Sequence, residues 1–256
     1  MFQPDFYYSV VALMIALAFI VFFALQKIEA AYGMTYSPKW GPSVGNRLGW
    51  VLMESPVVAA MVLLWVFSPR SHQAAPAVMA SLFLLHYVQR SFVFPLLIRG
   101  RSRMPLAIIL MGITFNVINA YMIGGWIFYI APEDAYPVSW LYSPLFIAGT
   151  LIFFAGMAIN LHSDSIIRHL RAPGDRNHYI PRGGMYRYVT AGNYFGELVE
   201  WTGYAILTWS LGGLAFVLWT FANLAPRART LQKRYISEFG EEYTSLKLRY
   251  ILPFIY

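Results

Sequence analysis

The 256-residue chain contains no cysteine, which excludes thiol nucleophiles, thiolate-ligated metals and disulfides. Charge is scarce as well: Asp, Glu, Lys and Arg make up 12% of the residues, against roughly 25% in ordinary soluble domains. There is no G-x-G-x-x-G fingerprint and no Walker loop, so a nucleotide site of the Rossmann or P-loop kind is not expected. Also missing are an internal repeat, a low-complexity segment, and the inverted pair of Gly/Pro-broken helices that marks many secondary transporters. No nucleic-acid motif is present, and the net charge of +7 is concentrated in certain loops. What the chain does have is apolar sequence, 58% of its residues, with a mean hydropathy of +0.52.

Apolar runs able to cross about 30 Å of hydrocarbon recur from end to end. They lie near residues 8–28, 47–67, 77–97, 106–130, 143–162, 197–210 and 212–226, the last two separated by a Ser-Leu-Gly-Gly turn around 210–213. The pattern predicts an all-α polytopic membrane protein, one domain over 1–256, with seven transmembrane helices. The first run lacks a basic leader and a small-residue cleavage site, so it reads as a retained helix and not as a signal peptide. Odd-numbered connections are basic, through Lys27, Lys39 and Arg47, then Arg99, Arg101 and Arg103, then Arg168, Arg171, Arg176, Arg182 and Arg187. The tail after Pro226 adds Arg227, Arg229, Lys233 and Arg234, whereas the even connections carry only Arg70, then Glu133 and Asp134, then no charge. By the positive-inside rule the N-terminus is outside and the C-terminus cytoplasmic. A soluble ligand should therefore arrive from the cytoplasmic side, where the long loop 163–192 and the tail lie.

An ionisable residue near the bilayer centre costs roughly 2.5–3.5 kcal/mol, so each one inside a span is a candidate functional group. Glu54 stands in an apolar run two residues before Pro56, whose missing N–H kinks a helix and can open space beside the carboxylate; the bland alternative is a protonated helix-packing acid. His86, Tyr87, Gln89 and Arg90 occupy one turn of the third span, where Tyr87 alone would read as an interface aromatic and Arg90 alone as a snorkelling cation. A phenol near a carboxylate is a good hydrogen-bond donor to a carbonyl. Asn193, Glu197, Glu200 and Tyr204 fall within about 60° of helical arc, and Asn160, Asp164, Arg168 and Arg171 within about 80°. Each set forms one polar stripe. Metal is not expected there, because the first stripe has no histidine and His162 and His169 point away from the Asn160 face. Arg168 and Arg171 suit phosphate, Asp164 and Glu197 suit ribose hydroxyls, and Asn160 and Asn193 can donate or accept through their side-chain amides. That inventory matches a phosphorylated nucleotide cofactor; the bland alternative is a basic loop that records topology alone.

The segments NLHSDSIIRHLRAPG from Asn160, IPRGGMYRYVTAGNYFGELVEWTGYAILTWS from Ile180, and the final ILPFIY are similar to the C-terminal domain of the steroid 5-alpha-reductase family. Upstream, ESP at Glu54, HYVQR at 86–90 and RGR at 99–101 match weaker family signals, so the resemblance covers nearly the whole chain, most strongly after Asn160. It implies a seven-helix fold closing over NADPH, with an apolar steroid reaching it from the lipid bilayer. In this sequence Glu54 and Tyr87 match the family's catalytic pair. Asn160, Asp164, Arg171, Asn193, Glu197, Arg227 and Tyr235 match cofactor positions, and Tyr32 and Trp50 fall where the family lines the cofactor and steroid cavity. Arg168 joins the cofactor set because it shares the stripe. Met53 and Met111 depart from polar or basic residues of some relatives, which bears on the substrate more than on the reaction.

The implied division of labour gives residues 1–105 the Glu/Tyr pair and the steroid cavity, and 106–256 the cofactor-binding helices and cytoplasmic loops. The implied reaction is NADPH-dependent reduction of the 4,5 double bond of 3-oxo-4-ene steroids, with hydride going to carbon 5 and the carbonyl polarised by Tyr87, oriented by Glu54. Rival readings are a reductase of another lipid enone or alkene, an isoprenylcysteine-type S-adenosylmethionine methyltransferase, and a non-catalytic receptor or scaffold. The expected location is the inner membrane if the source is bacterial and the endoplasmic reticulum if it is eukaryotic.

Overall fold

A computed structural model describes residues 2–28, 36–100, 102–172, 175 and 177–256. Tyr32, Arg101 and Arg176 lie outside the described residues. Five helices are long and apolar enough to cross a membrane: α1 (Pro4–Leu25), α2 (Asn46–Val66), α3 (Ala74–Leu97), α4 (Leu106–Ile130) and α5 (Pro144–His169). Two more follow, α6 (Gly192–Thr208) and α7 (Leu211–Phe239), then a short α8 (Glu241–Thr244). Large apolar side chains such as Phe19, Ile20, Phe23 and Leu151 stand exposed on the outer faces, as a chain solvated by lipid requires. The chain is a multi-pass membrane protein.

The helix limits follow local chemistry. Ser143 caps α5 by accepting from Phe146 N at 3.1 Å, with Pro144 in the first turn, and Ser210 caps α7 by accepting from Gly213 N at 3.1 Å. The α6–α7 reversal differs from the expected Ser-Leu-Gly-Gly turn. Trp209, in the left-handed region at φ 45°, makes the turn, and Gly212 and Gly213 already belong to α7. Gly212 serves close approach instead: a Cβ there would lie 2.5 Å from Met122 O and 2.7 Å from the Tyr7 hydroxyl. A two-stranded ribbon, which helical periodicity did not anticipate, pairs Ser43–Gly45 with Arg103–Pro105 and ties the start of α2 to the start of α4.

Four glycines make the α5–α6 seam. Gly149 and Gly156 on α5, and Gly196 and Gly203 on α6, let the two backbones touch, since a Cβ at any of them would strike backbone atoms of the other helix. Small residues at such a crossing are the usual way membrane helices gain dispersion contact. The seam fixes the register that puts Asn160 opposite Asn193. Around it an aromatic core of Phe83, Tyr87, Phe153, Trp201, Tyr204 and Phe216 fills the centre of the bundle. The tail then folds back: Thr190 N and Ala191 N donate to Arg249 O and Tyr250 O, and Gln232 Nε2 donates to Thr190 Oγ1 at 3.1 Å. These bonds anchor the start of α6, immediately before Asn193.

Candidate active site

Polar groups from α2, α3, α4, α5 and α6 converge in the bundle interior. The third span loosens into a π turn at Gln89–Val93, just before Pro95, which has no N–H to return to the carbonyl four residues earlier. Arg90 sits in that wide turn. It does not snorkel as a lone cation would: its side chain is 10% exposed and reaches Asp164 Oδ2 at 3.2 Å and Glu197 Oε2 at 3.8 Å. Two carboxylates in an apolar interior draw the guanidinium inward more strongly than the distant interface does. Its guanidinium carbon lies 4.7 Å from the Trp50 ring centroid and 4.2 Å from that of Phe94. Trp50 thus stands against Arg90.

The two stripes meet in one network. Asn160 Nδ2 donates to Asn193 O at 2.9 Å, and Asn193 Nδ2 donates to Asp164 Oδ1 at 3.0 Å. Asp164 therefore accepts from Asn193 and Arg90 at once, and Glu197 lies beside the same guanidinium. Arg168 is on the same helix face, its Nε buried without a hydrogen-bond partner among the described residues. Arg171 falls just past the end of α5 at His169, so the helix carries three of the four expected stripe positions, while the charge of Arg171 still acts on Tyr235. Arg227, on the part of α7 beyond Pro226, has its guanidinium carbon 5.6 Å from the Tyr194 ring centroid. Tyr235 is buried against Tyr243 and Phe239, and that burial pushes its phenol above the usual tyrosine range.

The expected α6 stripe faces inward but divides its partners. Glu200 is fully buried and pairs with His86 Nδ1 at 2.9 Å, and its second carboxyl oxygen has no hydrogen-bond partner among the described residues. Tyr204 donates to Met79 O at 3.1 Å and belongs to the aromatic core.

Glu54 and Tyr87 are close enough to act on each other electrostatically, and Arg90 and Glu197 share that neighbourhood. Among the described residues they share no hydrogen bond. Each is held by its own asparagine from α4: Asn116 Nδ2 donates to Glu54 Oε2 at 3.0 Å and to Met53 O at 2.9 Å, and Asn119 Nδ2 donates to the Tyr87 hydroxyl at 3.1 Å. Sequence reasoning missed both asparagines and the His86–Glu200 pair. The available signal was two amides three residues apart in an otherwise apolar span, the same kind of signal that singled out Glu54.

Chemically, the interior offers a phenol whose oxygen accepts from an amide, a nearby carboxyl group, and a lane of cations, carboxylates and amides running along α5 and α6. Residues 102–256 match the family model described as 3-oxo-5-alpha-steroid 4-dehydrogenase. The chain is 38% identical over 233 residues to 3-oxo-5-alpha-steroid 4-dehydrogenase 1 of Macaca fascicularis, covering 90% of this chain and 87% of the relative. The human protein of the same name is 37% identical over 238 residues, covering 92% and 90%. A plant relative, steroid 5-alpha-reductase DET2 of Gossypium hirsutum, is 35% identical over 258 residues, covering 99% and 98%.

Proposed function

Because the chain belongs to the 3-oxo-5-alpha-steroid 4-dehydrogenase family of oxidoreductases, we propose that it reduces the 4,5 double bond of 3-oxo-4-ene steroids with NADPH, inside the membrane. The observation that carries this reading is one polar chain, from Asn160 through Asn193 and Asp164 to Arg90, which ends one helical turn from Tyr87 in an otherwise apolar bundle.

The side chains present fit the cofactor. The buried Arg168 Nε is an orphaned donor of the kind an anionic group satisfies, and Arg171 and Arg227 add further cations. These arginines would hold phosphates and Asp164 and Glu197 ribose hydroxyls, Asn160 and Asn193 would donate or accept through their amides, and Tyr235, with Tyr32 by the family resemblance alone, completes the cofactor set. When bound, NADPH supplies the hydride that goes to carbon 5 of the enone. Tyr87 donates a hydrogen bond to the 3-oxo oxygen and stabilises the negative charge that develops there. Glu54, held by Asn116, acts on the phenol through space and orients its field. The resulting enolate takes a proton at carbon 4. Trp50 and the surrounding apolar wall exclude water and receive the steroid from lipid.

In this reading α6 and α7 also cross the bilayer, for seven spans with the N-terminus outside and the C-terminus cytoplasmic, as the loop arginines indicate. Residues 1–105 bring the Glu/Tyr pair and the steroid cavity, and 106–256 bring the cofactor lane. The membrane is the inner membrane of a bacterial source or the endoplasmic reticulum of a eukaryotic one.

The test is NADPH oxidation by detergent-purified protein on adding progesterone, with product analysis for the 5-alpha-reduced steroid. Glu54→Gln and Tyr87→Phe are expected to bind NADPH normally and to lose roughly a hundredfold or more in kcat. Undiminished reduction by either variant sinks its catalytic assignment. Absence of NADPH binding by the unaltered protein sinks the cofactor and the reaction together.

A further inference from the structure

Asn116 and Asn119 are 4% and 0% exposed, in the middle of a helix whose neighbouring residues are almost all apolar. An amide buried at that depth costs free energy unless its hydrogen bonds are met. Asn116 meets that cost by bridging a backbone carbonyl and a carboxyl group. Asn119 does not meet it fully: its Nδ2 donates to Tyr87, while its Oδ1 is buried with no partner among the described residues. A buried acceptor left without a donor forfeits its hydration and gains nothing in return. A residue present only to pack α4 against α3 would be better served by leucine, which is similar in size and leaves nothing unsatisfied.

The direction of the bond gives Asn119 a different task. Tyr87 is 4% exposed, and its ring is walled by Phe83, His86 and Trp201, so the phenol has little freedom except rotation of its O–H. An oxygen that already accepts from Asn119 turns its own hydrogen away from that amide. The hydrogen is then left for a ligand carbonyl. The same N–H also stabilises negative charge on the phenol oxygen as its proton is shared, which makes the phenol a stronger donor. Three residues earlier on the same face, Asn116 holds Glu54. One helix thus sets both members of the pair, which share no direct hydrogen bond.

We propose that Asn119 is a positioning residue for Tyr87, holding the phenol oxygen as an acceptor so that its hydroxyl points at the carbonyl of the bound enone. The inference rests on the reductase reading of the site.

The test uses the full-length protein in detergent, with kcat and KM measured for progesterone and NADPH. A second readout is the infrared carbonyl stretch of carbon-3 13C-labelled progesterone bound in the presence of NADP+. Asn119→Leu keeps the volume and removes the amide; Asn119→Ala carries the same readouts should the leucine variant not fold. The expected result is a kcat lowered roughly tenfold or more, a KM for NADPH within about twofold of wild type, and a carbonyl stretch moved toward that of Tyr87→Phe. A kcat within about twofold of wild type overturns the proposal. So does a lowered kcat with an unmoved carbonyl stretch, which would mark a packing role. If Tyr87→Phe itself turns over at the wild-type rate, the reading of the site falls and this inference with it. If only the Asn119 variants remain fully active, the reading stands and the inference alone is lost.

Discussion

Replacing Gly156 by alanine tests whether the α5–α6 seam is what assembles the proposed cofactor lane. A Cβ at Gly156 would sit 2.5 Å from Glu200 Cα and 2.7 Å from Gly196 O, with Glu200 N closer still. Ordinary contact begins at 3.4 Å, so the shortfall against Glu200 Cα alone is about 0.9 Å. These atoms are backbone, and no side chain can rotate out of the way, so the helices must part. Asn160 lies one turn further along the same seam, bonded to Asn193 O at 2.9 Å, and Asn193 bonds Asp164 at 3.0 Å. A separation of about 0.9 Å carries both bonds beyond 3.5 Å, where they no longer count as hydrogen bonds. Overpacking costs about 1–3 kcal/mol of stability. Losing two pre-set bonds of about 1 kcal/mol each should weaken NADPH binding by roughly tenfold or more.

Gly149→Ala supplies the matched control. Its Cβ would likewise strike backbone, 2.5 Å from Leu207 N and 2.7 Å from Gly203 O, but Gly149 lies about 16 Å from Asn160 along the helix at 1.5 Å per residue. Fluorescence titration with NADPH and thermal unfolding in detergent would be run on both variants. The expected result is a comparable loss of stability, with the loss of affinity confined to Gly156→Ala. Unchanged NADPH affinity in Gly156→Ala, or an equal loss in Gly149→Ala, would refute the assignment of the seam as the element that sets the lane.

Two further outcomes follow from buried groups. Glu200→Leu leaves His86 facing an apolar wall without its partner and should cost about 3–5 kcal/mol in unfolding measurements; His86→Phe combined with Glu200→Leu should recover most of that, and a neutral single variant would show that the pair contributes little. Tyr235 holds its proton more tightly in the folded chain than in the unfolded one, because burial disfavours the phenolate. Its contribution is full below pH ~10, where the unfolded phenol is still protonated, and is lost as pH rises from there through the folded value. Alkaline unfolding followed by circular dichroism should therefore be shallower in Tyr235→Phe, and an identical profile would count against the buried phenol as a cause.

Much of the site was legible because the membrane makes polarity conspicuous. Glu54, Tyr87, Asn160, Asp164, Asn193 and Glu197 stood out as polar groups in or beside apolar runs, and helical periodicity alone aligned the last four into two stripes. The same logic extends to Asn116 and Asn119, but their helix carries no charged residue to form a stripe with them, as Asp164 does with Asn160 and Glu197 with Asn193. Arg90 taken alone suits a snorkelling cation, and its carboxylate partners Asp164 and Glu197 lie on helices distant in the sequence, where no local pattern links them to it. The glycine pair at 212–213 was read as a turn because glycine permits both a reversal and a close approach, and only the helix lying opposite tells which.

By itself the amino-acid sequence determined that the chain lives in a membrane, roughly where its apolar runs lie, and which charged residues stand in or beside them. Those properties depend on the free energy of moving each residue between water and hydrocarbon, which is local and additive along the chain. Tertiary structure alone decided which polar group answers which. Asn119 reaches Tyr87, Asn116 reaches Glu54, His86 takes Glu200, and Arg90 spans Asp164 and Glu197. These hydrogen bonds and ion pairs act over about 3–4 Å, and His86 and Glu200 are 114 positions apart in the chain, so only the close packing of the helices brings such partners within range.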